Sequence, residues 1–411
     1  MLQKINPDAR GILAEKERIN LAILDVIRKQ GPVAKTIISK LTKINIVTVS
    51  NYVNDYVKKE LVFEKGLDIS TGGRRPILIE LNKDAGYVVG AGLTLSDVAA
   101  VVTDLKGEVV CEVKEPRTRK SSETIVAALM DVIEKVIKKS DLEKEKILGI
   151  GVAIPGVVDR KAHTIRCWGA WGTTDGKEVM ITVSLEELLH NKFSLPVIVE
   201  NDADAAVFGE RWFTQRMDVK NMLYMYSGVG CGIISNGEIY EGATGNAGEL
   251  GIINPDLTDP QTWRRNSVEL GSWEMDLTMT TKAREAMARG GVKSAIFEKA
   301  KNDAEKINPK LIFECARGKD EFAVKLIEEA GAALGRKIAF LVNLLNPEIV
   351  IIGGGIEQAG YIIMDAIKKS VNAWSLRESK SELKILPAQL GENAVILGAA
   401  SIIINEVFAS A

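Results

Sequence analysis

Over residues 18–30 the apolar side chains Ile19, Leu21, Ile23, Leu24 and Ile27 recur close to helical spacing until Gly31-Pro32 interrupts them. One amphipathic helix is predicted there. A shorter pattern over 34–41 leads through Thr42-Lys43-Ile44-Asn45 into a third over 46–59, whose Val49, Val53 and Val57 would share a face. Three helices with a four-residue connection between the last two predict a helix-turn-helix. Residues 61–64 and 76–81 read as two strands joined by a turn-rich stretch that ends Gly72-Gly73-Arg74-Arg75, the pattern of a wing.

From Gly86 the texture becomes alternating strand and helix. Residues 87–95, 97–104 and 108–113 predict three successive strands with a turn at Lys106-Gly107, and 123–140 predict an amphipathic helix. A buried strand over 147–154 ends at Pro155-Gly156, followed by a helix over 185–191, a strand over 197–200 and a helix over 203–212. A second meander over 221–240 holds Gly228, Gly230 and Gly232, and the last third is helical apart from a strand over 348–352 that runs into Gly353-Gly354-Gly355. The body therefore reads as two α/β lobes. No repeat of 20–50 residues stands out.

Composition agrees with a chain that folds throughout: 46% of its 411 residues are hydrophobic and only 11 are proline. Its length calls for two or three globular units. The first residues, MLQKINPDARGILAEK, are polar where a signal peptide would be apolar, and the best apolar run, 338–355, is broken by Asn343, Asn346, Pro347 and Glu348. The expectation is a cytoplasmic protein without a membrane partner. The four cysteines lack CxxC spacing, so neither a disulfide framework nor a structural zinc site is indicated. Charge is divided along the chain. Residues 1–82 carry a net +5 and the rest −7, a basic head on an acidic body, which points to a nucleic-acid-binding unit fused to one with another task.

Six segments in order carry a resemblance. They are Gly31 to Ser50 with Gly72-Gly73-Arg74-Arg75-Pro76, the stretch from Gly151 to Asp159, Val199-Glu-Asn-Asp-Ala-Asp-Ala-Ala206, Gly242 to Gly251 ending Ala-Gly-Glu-Leu-Gly, and Asn346-Pro-Glu-Ile-Val-Ile-Ile-Gly-Gly-Gly355. Together they resemble the ROK family of repressors, open reading frames and sugar kinases. The resemblance implies an α/β fold: a winged helix-turn-helix over 1–82, then an actin-like ATPase body of two lobes, 83–203 and 204–411, with the C-terminal helix returning to the first lobe. A sugar cleft would lie between the lobes. Kinases of the family usually lack the N-terminal head.

The kinase loop departs from the family's pattern. Where the family resembles G-I-D-I-G-G-T-K, this chain reads Gly90-Ala-Gly-Leu-Thr-Leu-Ser-Asp97, so the acidic position is Gly92 and two glycines are Thr94 and Leu95. ATP and Mg²⁺ would be held poorly without that carboxylate and backbone approach. In the second loop Ser227 stands for the usual threonine and Tyr226 for a glycine, while Gly228, Gly230 and Gly232 remain; these glycines would make the turns that the fold needs. On the sugar side the resemblance assigns Asn201 and a vestigial catalytic Asp202, with Glu249 and Glu269 as further acceptors of sugar hydroxyls. Several carboxylates and an amide on one cleft suit a polyol. Helix capping is the alternative for Asp202 and a solvated loop charge for Glu249 and Glu269. The family's zinc ligands are absent: the histidine position is Ile252, and 253–268 contains no cysteine. Trp168 and Trp171 could stack on a sugar or simply pack.

On the head, a recognition helix starting near Asn45 would present Thr48, Ser50 and Asn51, with Lys43 beside them, to bases and phosphates. Lys35 and Thr36 suit phosphate contact, and Arg74 and Arg75 in the wing suit the minor groove. The expectation is a sugar-responsive repressor that binds operator DNA as a dimer, with no cofactor, no metal and no enzymatic activity. An active sugar kinase with a DNA-binding head is the alternative, and a body that answers only to a protein partner is a third reading.

Overall fold

The computed structural model describes residues 14–67, 77–94, 97–116, 122–169, 179–214, 218–226, 230–250 and 279–411. Helix α1 (Glu15–Gln30) begins three residues before the apolar pattern, because the Glu17 carboxylate accepts the Ala14 N–H at 2.7 Å and closes the first turn. It buries Ile23, Leu24 and Ile27 as the spacing predicts. Strand β1 (Val33–Ala34), too short to be read from the sequence, precedes α2 (Lys35–Thr42) and α3 (Ile46–Lys58). Only three residues join the two helices, since the Thr42 hydroxyl donates to Ile38 O at 2.8 Å and keeps Thr42 in α2. Asn45 caps α3 by accepting the Val47 N–H at 2.8 Å. The buried face of α3 is Val49, Val53 and Tyr56; Val57 is 36% exposed. A strict four-residue step drifts off a helix with 3.6 residues per turn, and Tyr56 takes the third place. Strands β2 (Val62–Leu67) and β3 (Ile77–Leu81) complete an antiparallel sheet in the order β1-β3-β2.

The first body sheet contains β4 (Tyr87–Leu93), β5 (Asp97–Asp104) and β6 (Val109–Pro116) as an antiparallel meander. After α4 (Ser122–Ser140), strand β7 (Ile147–Ile154) joins parallel to β4. Short strands β8 (Val157–Asp159), β9 (Thr164–Gly169) and β10 (Val179–Val183) form a separate antiparallel sheet. Helix α5 (Leu185–Phe193) then leads to β11 (Val197–Asn201), parallel to β7, and to α6 (Asp202–Phe213). The order is β11-β7-β4-β5-β6.

The second sheet repeats this plan, with β12 (Met222–Tyr226), β13 (Gly230–Ser235) and β14 (Glu238–Ile239) as its meander. Helices α7 (Met279–Arg289), α8 (Ala295–Lys299), α9 (Pro309–Arg317) and α10 (Glu321–Leu345) precede β15 (Ile349–Gly353), which lies parallel to β12. Helices α11 (Tyr361–Trp374) and α12 (Arg377–Lys380), strand β16 (Lys384–Pro387) and helix α13 (Ala394–Ala409) end the chain. The order is β14-β13-β12-β15-β16.

Each lobe lends its last helix to the other. Helix α6, which follows the first sheet, packs on β12 and β13, whereas α13, which follows the second, packs on β4 and β7. The two helices also pack on each other. Their backbones nearly touch: a Cβ on Gly398 would lie 1.9 Å from Ala205 O, and one on Gly209 would lie 2.8 Å from Gly398 Cα. Only glycine permits that approach. Among the described residues one helical span, Gly391–Ala409, is long and apolar enough to cross a membrane, and most of it is core of the body as α13.

Candidate functional site

The carboxyl end of β11 and the first turn of α6 form the floor of the candidate cleft. Asn201 is the true helix cap: its Oδ1 accepts the N–H groups of Ala203 at 2.8 Å and Asp204 at 3.3 Å, while its Nδ2 donates to Gly156 O at 3.0 Å. The capping alternative considered for Asp202 thus belongs to its neighbour. Asp202 occupies the first helical position, is 6% exposed, and also accepts the Ala203 N–H at 2.9 Å. There the helix dipole favours a negative charge. Glu249 is brought alongside through a backbone bridge to Gly230 at the start of β13. Burial, and then the Asp202 charge, push the Glu249 carboxyl up to about 7. Glu269 and Trp171 lie outside the described residues, as does the side chain of Trp168.

Beneath this floor is a group of ionised side chains with no role assigned from the sequence. Arg160, in the turn after β8, donates from Nη2 to Glu200 at 2.7 Å and from Nε to Glu241 at 2.8 Å, and Nη2 also reaches Glu241. Glu200 in turn accepts the Asn201 N–H at 2.9 Å and so fixes the strand end. Burial, and then the charges of Glu200 and Glu241, push the Asp204 carboxyl well above the ordinary carboxylate range. Glu200 and Asp204 stood in the Val199–Ala206 motif, but Arg160 and Glu241 had no local signal; only the fold brings them together. Among the described residues no three His, Cys, Asp or Glu form a metal-binding group. The segment that would carry the family's zinc ligands, 251–278, lies outside the described residues.

At the position of the kinase loop the described backbone is closely packed. A Cβ on Gly92 would lie 2.3 Å from Ala153 O and 2.9 Å from a Val395 methyl carbon, which leaves no room for a carboxylate. Thr94 is consumed by the hairpin: its hydroxyl accepts the Asp97 N–H at 3.1 Å. Leu95, Ser227 and Gly228 lie outside the described residues. Gly232, expected to make a turn, is instead inside β13, where a Cβ would lie 2.2 Å from Ala203 O of α6. In the triple-glycine turn the Gly354 N–H donates to the Tyr224 hydroxyl at 3.2 Å and the Gly355 N–H to Glu357 at 2.8 Å. Both of these amides already have acceptors. Burial pushes Glu357 up to about 7, and Glu392 and Glu210 add to that rise.

On the N-terminal unit, Thr36 and Asn51 are exposed and Thr48 and Ser50 half-buried. The Ser50 hydroxyl donates to Ile46 O at 2.8 Å, and Lys35 Nζ donates to Asn54 Oδ1 at 3.0 Å, tying α2 to α3. Val47, at the start of α3, is 64% exposed, an apolar side chain on the same helix. Arg74 and Arg75 lie outside the described residues.

The ROK family profile matches residues 88–406. The chain belongs to the ROK family. A xylose repressor of Caldicellulosiruptor bescii is 29% identical over 397 residues, covering 95% of this chain and 96% of that one. The transcriptional dual regulator NagC of Escherichia coli is 26% identical over 394 residues, covering 93% and 91%. Among solved structures, a ROK transcriptional regulator described as a homologue of Escherichia coli MLC has a TM-score of 0.72 at 23% identity, covering 96% of this ROK chain and 97% of its own. A ROK glucokinase from Streptomyces griseus, solved with glucose and AMPPNP, has a TM-score of 0.62 at 27% identity and covers 77% of this chain and 99% of its own. The relatives named as repressors match almost end to end, and the kinase matches the body.

Proposed function

We propose that this ROK protein is a sugar-responsive transcriptional repressor without kinase activity, working in the cytoplasm as a homodimer on operator DNA. What supports this reading is that Asn201 and Asp202 meet Glu249 at the start of α6 and that the Gly354 and Gly355 amides already have acceptors, on a chain that aligns almost end to end with relatives named for xylose and N-acetylglucosamine repression. The N-terminal unit, 1–82, is the winged helix-turn-helix, with α3 in the major groove and Arg74 and Arg75 in the minor groove. The body divides into 83–203 and 204–411, joined through α6. Asn201, Asp202, Glu249 and Glu269 hold the sugar. Asn201, whose oxygen is committed to the cap, has one N–H to offer. An inverted repeat needs two heads and each chain supplies one, so the occupant proposed for the exposed apolar end of α10 and α11, with Phe340, Leu344 and Trp374 at least 57% exposed, is a second copy of this chain.

Selection from random-sequence DNA should return an inverted repeat bound by two chains, and D-xylose, D-glucose or N-acetyl-D-glucosamine should weaken that complex. Recovery of no preferred sequence, or a complex indifferent to every sugar of a broad panel, would defeat the reading. Replacing both Arg74 and Arg75 by alanine should weaken binding across all sequences and flatten its salt dependence by about two counterions. An unchanged salt slope would remove the wing from the interface.

ATP-dependent phosphorylation should be undetectable over the same sugars. Turnover at even about 1 s⁻¹, an ordinary enzymic rate, would restore the kinase alternative. Gly92→Asp should not create activity and should cost about 1–3 kcal/mol of stability through overpacking against Ala153 and Val395, seen as a lower melting temperature.

A further inference from the structure

The two ends of α6 serve different neighbours. Its first turn carries the cleft floor, Asn201 and Asp202; its last turn carries Trp212, 2% exposed. At roughly 1.5 Å per residue the helix spans about 15 Å between them. Three parts of the molecule meet at Trp212. The Arg28 guanidinium of α1 stacks 3.7 Å from the centre of its ring and donates to Trp212 O at 3.4 Å. Asp25 holds the same guanidinium at 2.8 Å. From the first lobe the turn between β5 and β6 comes so close that a Cβ on Gly107 would lie 2.6 Å from the Trp212 ring and 2.7 Å from that of Phe213.

A second tether joins the N-terminal unit to α13. Asn20 Nδ2 donates to Ala409 O at 2.9 Å and to Ala411 O at 3.3 Å, and Asn20 Oδ1 accepts the Tyr56 hydroxyl of α3 at 2.7 Å. Glu80 of β3 adds a contact with Lys106 of the first lobe at 3.4 Å. Since α13 rests on the first sheet and α6 on the second, the N-terminal unit holds on to both. A rotation of one lobe against the other that carried α6 along α13 would leave the two tethers unable to keep their geometry together, and would part Trp212 from Gly107 as well. The Arg28 tether is the weaker of the two. Its side chain is only 7% exposed and its Nε–H is buried without a hydrogen-bond partner, so its burial is incompletely compensated, whereas each polar atom of the Asn20 amide is bonded.

We propose that the Arg28–Trp212 contact is the latch through which the cleft controls the DNA-binding unit. With the cleft empty the latch is closed and α3 is held in the orientation that binds operator. Sugar at the first turn of α6 favours the lobe arrangement in which the latch is open, leaving the unit tethered through Asn20 and Glu80. This inference rests on the sugar-responsive reading above. Arg28 and Trp212 touch neither ligand; they act as positioning residues.

Linkage gives a signature that simple loss of packing would not produce. Arg28→Met removes the cation and its donated bond while keeping much of the volume, and so shifts the population toward the open state. In the full-length protein it should bind the selected operator more weakly without sugar, and should bind the effective sugar of the panel, D-xylose, D-glucose or N-acetyl-D-glucosamine, more tightly by at least about threefold. The further weakening of operator binding by sugar should shrink accordingly, and Arg28→Lys should restore part of each change. Calorimetry for the sugar and fluorescence anisotropy for the operator provide both numbers. Unchanged or weaker sugar binding, with a native-sized sugar effect on operator, would overturn the latch while leaving the sugar-responsive reading standing. A native protein whose operator complex ignores every sugar would overturn both. If Arg28→Met does not fold, Trp212→Phe makes the same test from the other side of the contact and must show the same opposed shifts.

Discussion

Asp202→Asn is expected to weaken sugar binding by about ten- to a hundredfold, the value of one charge-assisted hydrogen bond at roughly 1.5–3 kcal/mol. It should leave operator binding by the empty protein unchanged, so the mutant complex persists at sugar concentrations that dissociate the native one. The structure sharpens this test. Because Asn201 supplies the cap to Ala203 and Asp204, an amide at 202 leaves the start of α6 intact apart from the charge that the helix dipole favours. Loss of sugar response is therefore not a by-product of a frayed helix. The same variant removes the charge that helps to raise Glu249, so the Glu249 titration should move down. Titration calorimetry and a carboxyl-resolved NMR titration read the two effects. Native sugar affinity in the mutant would exclude Asp202 from the site.

Sugar affinity is expected to rise with pH across neutrality and then level off. Burial lifts Glu249 from 4.5 to about 7, so a large share of the molecules hold it protonated at pH 6. A hydroxyl donates its strong bond to the ionised form, and binding therefore pulls the proton off. The stability of the empty protein should run the other way. For an acid whose folded value lies above its unfolded one, the folded state binds the extra proton, so stability falls as pH rises from about 4.5 to about 7 and is flat beyond. Glu357, also raised to about 7, adds to the same trend. Each contributes up to about 3 kcal/mol. Glu249→Gln should raise the melting temperature at pH 8, do little at pH 5, and flatten the pH profile of sugar binding. A mutant whose sugar affinity still climbs through pH 7 would assign the titration to another group.

Most elements were legible because their signals are local. The periodicity that marks α1 and the Gly31-Pro32 stop, the Asn45 cap of α3, and the apolar strands β7 and β15 all depend on neighbours within a few residues. Strand β4 ends at Leu93, short of the predicted bound, because Thr94 bonds to Asp97 three residues on, a side-chain turn that periodicity does not register. Other differences arise where a partner far along the chain decides. Strand β1 exists only because β3, more than forty residues on, pairs with it. Gly232 was expected to make a turn, and in the fold it lies inside β13; Gly232 and Gly90 both admit helix backbones onto the sheets.

The basic head, the Asn201-Asp202 pair and a glycine at 92 could be read directly from the chain, since each is a matter of residue identity in a local frame. Tertiary structure alone decided that α6 and α13 are exchanged between lobes, that Arg160 joins Glu200 and Glu241 beneath the cleft, and that Arg28 meets Trp212. The last two are contacts between residues 40 to 184 positions apart, and the helix exchange brings together residues farther apart still, such as Gly90 and Ile396. Pairwise spacing in the chain does not encode them. They follow from which faces remain apolar once the sheets are built, and from where glycine lets two backbones come within reach.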